Sequence, residues 1–179
     1  MQKACVLCSR EMGRASRDAV RPGIDTRTLC LGCEQHFLAQ CGVSLDRYLK
    51  GFSMPVVVVA PDGRIVLANN DACEMLHKTP LQIESRLGGD VFECEYARLP
   101  GGCGRTEHCK GCAIRMTVMD TMVTGKPHHA VRAHLNPHLP DRSQCFLIST
   151  EKRGSIVFLG VEPVRDKSVQ PTSACSACL

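Results

Sequence analysis

Cysteine is the residue that most constrains this chain, because 13 of its 179 residues are cysteines, an odd number that cannot all pair internally. The N-terminal residues lack the apolar stretch of a secretory signal, so we expect a cytoplasmic protein whose thiols stay reduced. Clustered thiols in a reducing compartment are typical of metal ligands or redox centres. Four C-x-x-C pairs stand out, namely Cys5 with Cys8, Cys30 with Cys33, Cys109 with Cys112, and Cys175 with Cys178.

The first two pairs predict a small zinc-binding module over residues 1–43, followed by a helical linker over residues 44–53. Two C-x-x-C pairs separated by a turn-containing segment are a strong four-cysteine metal signature, and the pattern resembles a treble-clef or zinc-ribbon finger. About 40 residues bury too little apolar surface to fold alone, so zinc would supply the folding free energy. The expected ligands are Cys5, Cys8, Cys30 and Cys33.

A second group of four cysteines lies in the middle of the chain with the spacing C-x8-C-x5-C-x2-C. Its members are Cys94, Cys103, Cys109 and Cys112. Four thiolates suffice for an iron–sulfur cluster or for a second zinc ion, and both alternatives stay open. The last two cysteines are predicted to lie in the first turn of a long helix, Cys109 to Val123, where the helix dipole lowers thiol pKa values. On this helix Met116, Met119 and Met122 are predicted to pack in the core.

Residues 54–164 predict an α+β domain. Five β-branched or apolar segments predict strands, and helices are gathered between the second and the third. This order predicts a five-stranded antiparallel sheet with helices on one face, preceded by the four-cysteine module. The strands are expected near residues 55–60, 64–68, 128–135, 144–151 and 155–163.

The run from Val57 to Cys73 resembles the opening of a PAS domain, with a hairpin, an Asp-Gly turn and an asparagine ahead of the first helix. Thr124 to Pro127 similarly resembles the end of the long PAS helix. The resemblance implies a PAS sheet whose cavity mouth is covered by the central cysteine loop. It also implies sensing or dimerisation and no single chemistry, so the function has to be argued from the site.

Our expectation for the function is a non-enzymatic sensor of redox, oxygen or metal state. Its PAS cysteine centre would signal in trans to a kinase or a transcription regulator, and the protein would form a homodimer. A structural alternative has zinc at both sites and no sensing, as a PAS interaction module. A thiol oxidoreductase is the third alternative. The pair Cys175 and Cys178, in a polar tail over residues 165–179, is a possible redox pair for it.

Charge and composition argue against two other classes of partner. A net charge of +4 with only 4% aromatic residues gives no clustered basic face and few rings for stacking on bases, so a nucleic-acid partner is not expected. The sequence contains no run of about 18 apolar residues, so no membrane-spanning helix is expected either.

Overall fold

The computed structural model describes residues 3–5, 8, 11–12, 29–136 and 144–164. The predicted tail and its cysteine pair, Cys175 and Cys178, lie outside these residues. None of the helices in the described part of the chain is long and apolar enough to cross a membrane.

Two antiparallel sheets form the strand framework. A short hairpin pairs β1 (Lys3–Ala4) with β2 (Glu11–Met12). The main sheet contains β3 (Val56–Val59), β4 (Arg64–Ala68), β5 (Arg86–Leu87), β6 (His128–Leu135), β7 (Gln144–Arg153) and β8 (Ile156–Pro163). Its strand order is β5-β4-β3-β8-β7-β6. All five predicted strands are confirmed, and the sixth, β5, is a two-residue addition beside β4.

The N-terminal helices cover one face of the main sheet. They are α1 (Leu31–Cys41) and α2 (Leu45–Lys50), the second of which lies in the segment predicted as a linker. Successive residues of a strand point to opposite faces. Val56 and Val58 point toward these helices and pack with Phe37, Leu49 and Phe158 in one buried cluster. This part of the chain therefore belongs to the core of the domain.

The other face carries the helices between β4 and β6, as the sequence predicts. They are α3 (Asn70–Leu76), α4 (Pro80–Ile83), α5 (Gly88–Val91) and α6 (Ala113–Thr124). Val57 and Val59 point to this side and are buried with Val118 and Leu159. The sheet is thus buried from both sides, with the central cysteines on the α5–α6 side.

The long helix begins later and faces differently than we predicted. A 3₁₀ turn over Glu107–Gly111 precedes α6, so Cys109 lies in that turn and Cys112 is the helix N-cap. The predicted core packing of Met116 and Met119 is wrong, because they are 54% and 36% exposed. The buried face of the helix instead presents Thr117, Val118 and Thr121 to the sheet. Only Met122 of the three methionines packs against the inner core.

A buried pair of threonine hydroxyls determines which face of α6 packs on the sheet. The side-chain oxygens of Thr121 and Thr150 lie 2.7 Å apart, and the Thr121 hydroxyl also lies 2.9 Å from the Lys126 carbonyl oxygen. Buried hydroxyls need such partners, so this pair fixes which side of the helix meets β7.

Asn69 links the start of β3 to the start of α3. Its side-chain oxygen accepts hydrogen bonds from the backbone N–H of Val56, at 3.0 Å, and of Ala72, at 2.9 Å. Its side-chain amide donates to the Met54 carbonyl at 2.8 Å. Asn69 is therefore both the N-cap of α3 and the anchor of the start of β3.

We expect Asn69→Ala to lower the free energy of unfolding by about 2–4 kcal/mol, because it removes the cap and leaves buried backbone groups unpaired. Asn70→Ala, at the exposed neighbouring position, is the matched control and should stay within about 0.5 kcal/mol of the parent. Urea unfolding followed by circular dichroism measures both. Equal losses in the two variants would contradict the anchoring role.

Candidate metal centres

The N-terminal cysteines come from the β1–β2 hairpin and from the start of α1. Cys5 directly follows β1 and is 1% exposed, and Cys8 lies in the turn toward β2. Cys30 is the N-cap of α1, and Cys33 lies in its first turn. This hairpin was not predicted from the sequence. The signal for it was the C-x-x-C pair itself, since two ligands of one ion require the chain to fold back between them.

The geometry of this group fits a tetrahedral ion. All four sulfur atoms lie within 4.8 Å of one another, and the sulfurs of Cys8 and Cys30 are 3.7 Å apart. A tetrahedral zinc site with Zn–S bonds of about 2.3 Å has sulfur–sulfur edges of about 3.8 Å. The predicted ligands Cys5, Cys8, Cys30 and Cys33 are therefore brought together at the spacing that one zinc ion needs.

Two thiols of the N-terminal group have pKa values shifted in opposite directions. The backbone N–H and the thiol of Cys33 lower the pKa of Cys30 to about 7. Burial, followed by the neighbouring thiols of Cys30 and Cys8, raises the pKa of Cys33. Thiolates at contact distance repel one another, so they cannot all ionise unless a divalent cation balances their charge.

The central cysteines lie along the loop between α5 and α6. Cys94 precedes a 3₁₀ turn over Glu95–Arg98. Cys103 lies in the glycine-rich stretch that follows. Cys109 is buried in the 3₁₀ turn before α6, and Cys112 caps that helix. All four cysteines are in the described part of the chain and on the α5–α6 side of the sheet.

Hydrogen-bond donors are directed at the central sulfur atoms. The backbone N–H of Gly89 donates to the Cys103 sulfur at 3.2 Å, and that of Gly104 donates to the Cys109 sulfur at 3.1 Å. The Thr106 hydroxyl oxygen lies 3.2 Å from the Cys109 sulfur. Such donors favour the charged form of a thiol, which is the form that binds metals.

The pKa values follow the balance between these donors and burial. Burial acts to raise the pKa of Cys109. The hydrogen bonds from Thr106 and Gly104 outweigh it, together with the charge of Arg115, so the pKa is lowered.

Burial raises the pKa of Cys94 in spite of the backbone N–H groups of Tyr96 and Ala97. It likewise raises the pKa of Cys103 in spite of the Gly89 N–H. For both thiols the charges of Cys109 and Cys112 add to the increase.

Compact grouping of the ligand atoms is a property of the N-terminal cysteines. Among the described residues, the N-terminal group is the only set of three or more histidine, cysteine or acidic side chains whose ligand atoms all lie within 4.8 Å of one another. That the central four share one inorganic centre therefore stays a prediction.

The central loop is fastened at two places. The Asn136 side chain, at the end of β6, accepts a hydrogen bond from the Glu95 backbone N–H at 2.8 Å and donates to the Glu93 carbonyl at 3.2 Å. The rings of Tyr96 and His108 stack with centroids 3.8 Å apart and an interplanar angle of 11°. These contacts tie the Cys94 side of the loop to the sheet and to the Cys109 side.

Close packing at Gly89 allows a sharp test of the loop. A Cβ atom at Gly89 would lie 2.8 Å from both the Cβ and the sulfur of Cys103, whereas a Cβ at Gly88 would meet nothing within 4 Å. We expect Gly89→Ala to cost about 1–3 kcal/mol of stability through overpacking and to increase alkylation of Cys103.

Gly88→Ala is the matched control and should leave both properties near those of the parent. Thermal unfolding measures the stability, and mass spectrometry after brief alkylation locates the modified thiol. If the two variants behave alike, Cys103 is not held against Gly89.

No protein-family model and no curated protein matches the sequence. Similar solved structures include the PAS domain of BvgS from Bordetella pertussis, with 14% identity and a TM-score of 0.49 over 69% of this chain and 86% of that one. The Rhodobacter sphaeroides LOV protein has 12% identity and a TM-score of 0.49 over 75% and 70% of the two chains. The PAS domain of nitrogen regulation protein NR(II) from Vibrio parahaemolyticus has 8% identity and a TM-score of 0.45 over 68% and 100%.

The order of the strands and helices along the chain identifies the fold. A two-stranded opening hairpin, short helices, one long helix and three final antiparallel strands follow one another in the order that the PAS resemblance implies. The main sheet and helices α3–α6 have a PAS-like fold, and a four-cysteine, zinc-finger-like group precedes them in the chain.

Proposed function

We propose that this chain is a non-catalytic, cytoplasmic signalling protein whose central cysteines hold a redox-responsive centre. The observation that carries the proposal is the pair of backbone N–H donors at two of the four central sulfurs. Gly89 donates to Cys103 at 3.2 Å, and Gly104 donates to Cys109 at 3.1 Å. Outer hydrogen bonds of this kind stabilise thiolate ligands and adjust the potential of the centre that they bind.

The N–H donors at the central sulfurs favour a cluster over a second zinc ion. Hydrogen bonds to cysteine sulfur adjust the potential of a redox centre, whereas a zinc ion has no redox change to adjust. Cys94, Cys103, Cys109 and Cys112 would hold such a cluster, and it would supply a one-electron redox change.

The contacts of α6 suggest how the loop would influence the rest of the domain. Cys112 is the first residue outside the helix, so a change in the loop acts directly on the helix start. Further along α6, the Thr121 side chain contacts Thr150 of β7, and the Lys152 ammonium of β7 donates a hydrogen bond to the Met122 carbonyl. A displacement of α6 would therefore act on β7. We infer that the output passes in trans to a kinase or a transcription regulator and that the protein acts as a homodimer.

A structural role is the second candidate, with zinc at both sites and no sensing. The 3.7 Å sulfur–sulfur distance in the N-terminal group is that of a structural zinc site and fits both candidates. The two candidates differ in what occupies the central cysteines.

Metal and sulfide analysis after anaerobic purification separates the two candidates. We expect about one zinc per chain from the N-terminal site, together with iron and acid-labile sulfide. A visible absorption band that bleaches with dithionite or air should accompany the iron. Cys109→Ser should remove the iron and keep the zinc, and Cys30→Ser should do the reverse.

Cys145→Ser is the control, because Cys145 belongs to neither group, and it should keep both metals. Two zinc ions and no iron would support the structural candidate. A central group without any metal would contradict both.

A further inference from the structure

The covering helices and the N-terminal cysteine group form one packed unit with the sheet. We propose that metal binding at Cys5, Cys8, Cys30 and Cys33 is what holds α1 and α2 on the outer face of the PAS-like sheet, so that metal occupancy and docking of this cap are thermodynamically linked. The cap comprises residues 29–52, and the outer face comprises Val56, Val58, Ile156 and Phe158. The inference concerns the N-terminal site and is independent of what the central cysteines bind.

Burial joins the cysteine group directly to the outer face. Cys5 and Leu29 are each 1% exposed, and both belong to the same buried cluster as Val56, Val58 and Phe158. The partly buried Cys30 and Cys33 pack against this cluster as well. A free-standing finger would have its ligands remote from the sheet, whereas here one ligand is a core residue.

Aromatic contacts continue this connection through both helices. The Phe37 ring of α1 lies 5.7 Å from Tyr48 of α2, and Tyr48 lies 5.2 Å from Phe158 of β8, both in edge-to-face geometry. Phe52 stacks on Phe158 with centroids 5.9 Å apart. The chain has five phenylalanines, two tyrosines and no tryptophan, so these four rings are more than half of its aromatic residues.

The two helices of the cap are too short to be stable on their own. Helix α1 has 11 residues and no side-chain hydrogen bond at its N-cap. Isolated helices of that length are marginal in water, and α2 is shorter still. The N-cap and the first turn of α1 carry two of the four ligands, so a bound ion fixes the point where the helix begins.

Linkage makes the effect reciprocal. If the ion stabilises the docked cap, then the docked cap must strengthen binding of the ion by the same factor. Zn²⁺ removal should therefore release the cap and uncover apolar surface on the outer face. Equally, damage to the outer face should weaken Zn²⁺ binding even though every cysteine is intact.

The first experiment removes Zn²⁺ from the full chain with a chelator. We expect amide hydrogen exchange in α1 and α2 to accelerate and an apolar dye to bind, while the inner-face helix α6 keeps its protection. Restoring Zn²⁺ should reverse both changes. Unchanged exchange in α1 and α2 on metal removal would overturn the proposal.

The second experiment measures Zn²⁺ affinity by competition with a chelating dye. Phe158→Ala, in a residue 2% exposed and far from the cysteines along the chain, should weaken Zn²⁺ binding by about 5- to 150-fold. Tyr48→Ala tests the same contact from α2 and serves if Phe158→Ala fails to fold.

Leu38→Ala is the matched control, because Leu38 lies on α1 itself but is 47% exposed. The Zn²⁺ affinity of this variant should match that of the parent. Parental Zn²⁺ affinity in folded Phe158→Ala or Tyr48→Ala protein would show that the finger is independent of the sheet and would overturn the inference.

Discussion

Burial of β3 from both sides is the constraint on which the rest of the structure depends. Its four residues are consecutive valines, and none is more than 5% exposed. Because side chains alternate along a strand, two of them require cover on each face. A PAS-like set of helices covers one face, and the other face needs a separate cover, which the N-terminal helices provide. The cysteine groups have to be understood within this two-sided arrangement.

The two covers share a feature that links metal chemistry to the fold. Cys30 is the N-cap of α1 on the outer side, and Cys112 is the N-cap of α6 on the inner side. Neither makes a side-chain capping bond, and each helix begins at a cysteine of one of the two groups. The outer group has the tight spacing of a single-ion site. The inner group receives backbone N–H donors at two of its sulfurs. This difference is the physical basis for assigning them different roles.

Local sequence signals predicted the sheet well. Val56 to Val59 and the later β-branched segments form strands because their side chains suit a buried pleated surface. An asparagine was predicted ahead of the first PAS helix, and the structure identifies it as Asn69. The hydrogen bond from the Val56 N–H to its side chain is a long-range contact that no local pattern reveals.

The errors arise where tertiary contacts decide the outcome. Apolar spacing placed Met116 and Met119 in the core, but a buried threonine pair turned the helix the other way. The start of α6 moved because the residues around Cys109 form a 3₁₀ turn with its sulfur held by Gly104 and Thr106. The β1–β2 hairpin was missed because ligand geometry, and not strand propensity, accounts for it. The side of the sheet that α1 and α2 cover also depends on long-range packing with Phe158.

The distribution of tyrosines gives the molecule an optical reporter for each centre. The chain has no tryptophan and two tyrosines. Tyr48 lies in the aromatic contact beneath the N-terminal group, and Tyr96 is stacked on His108 within the central loop. Phenylalanine in place of either tyrosine leaves a single phenol emitter, whose ultraviolet fluorescence then reports on one cysteine group alone. Changes at the N-terminal cysteine group and at the central one can thus be followed separately without attaching a label.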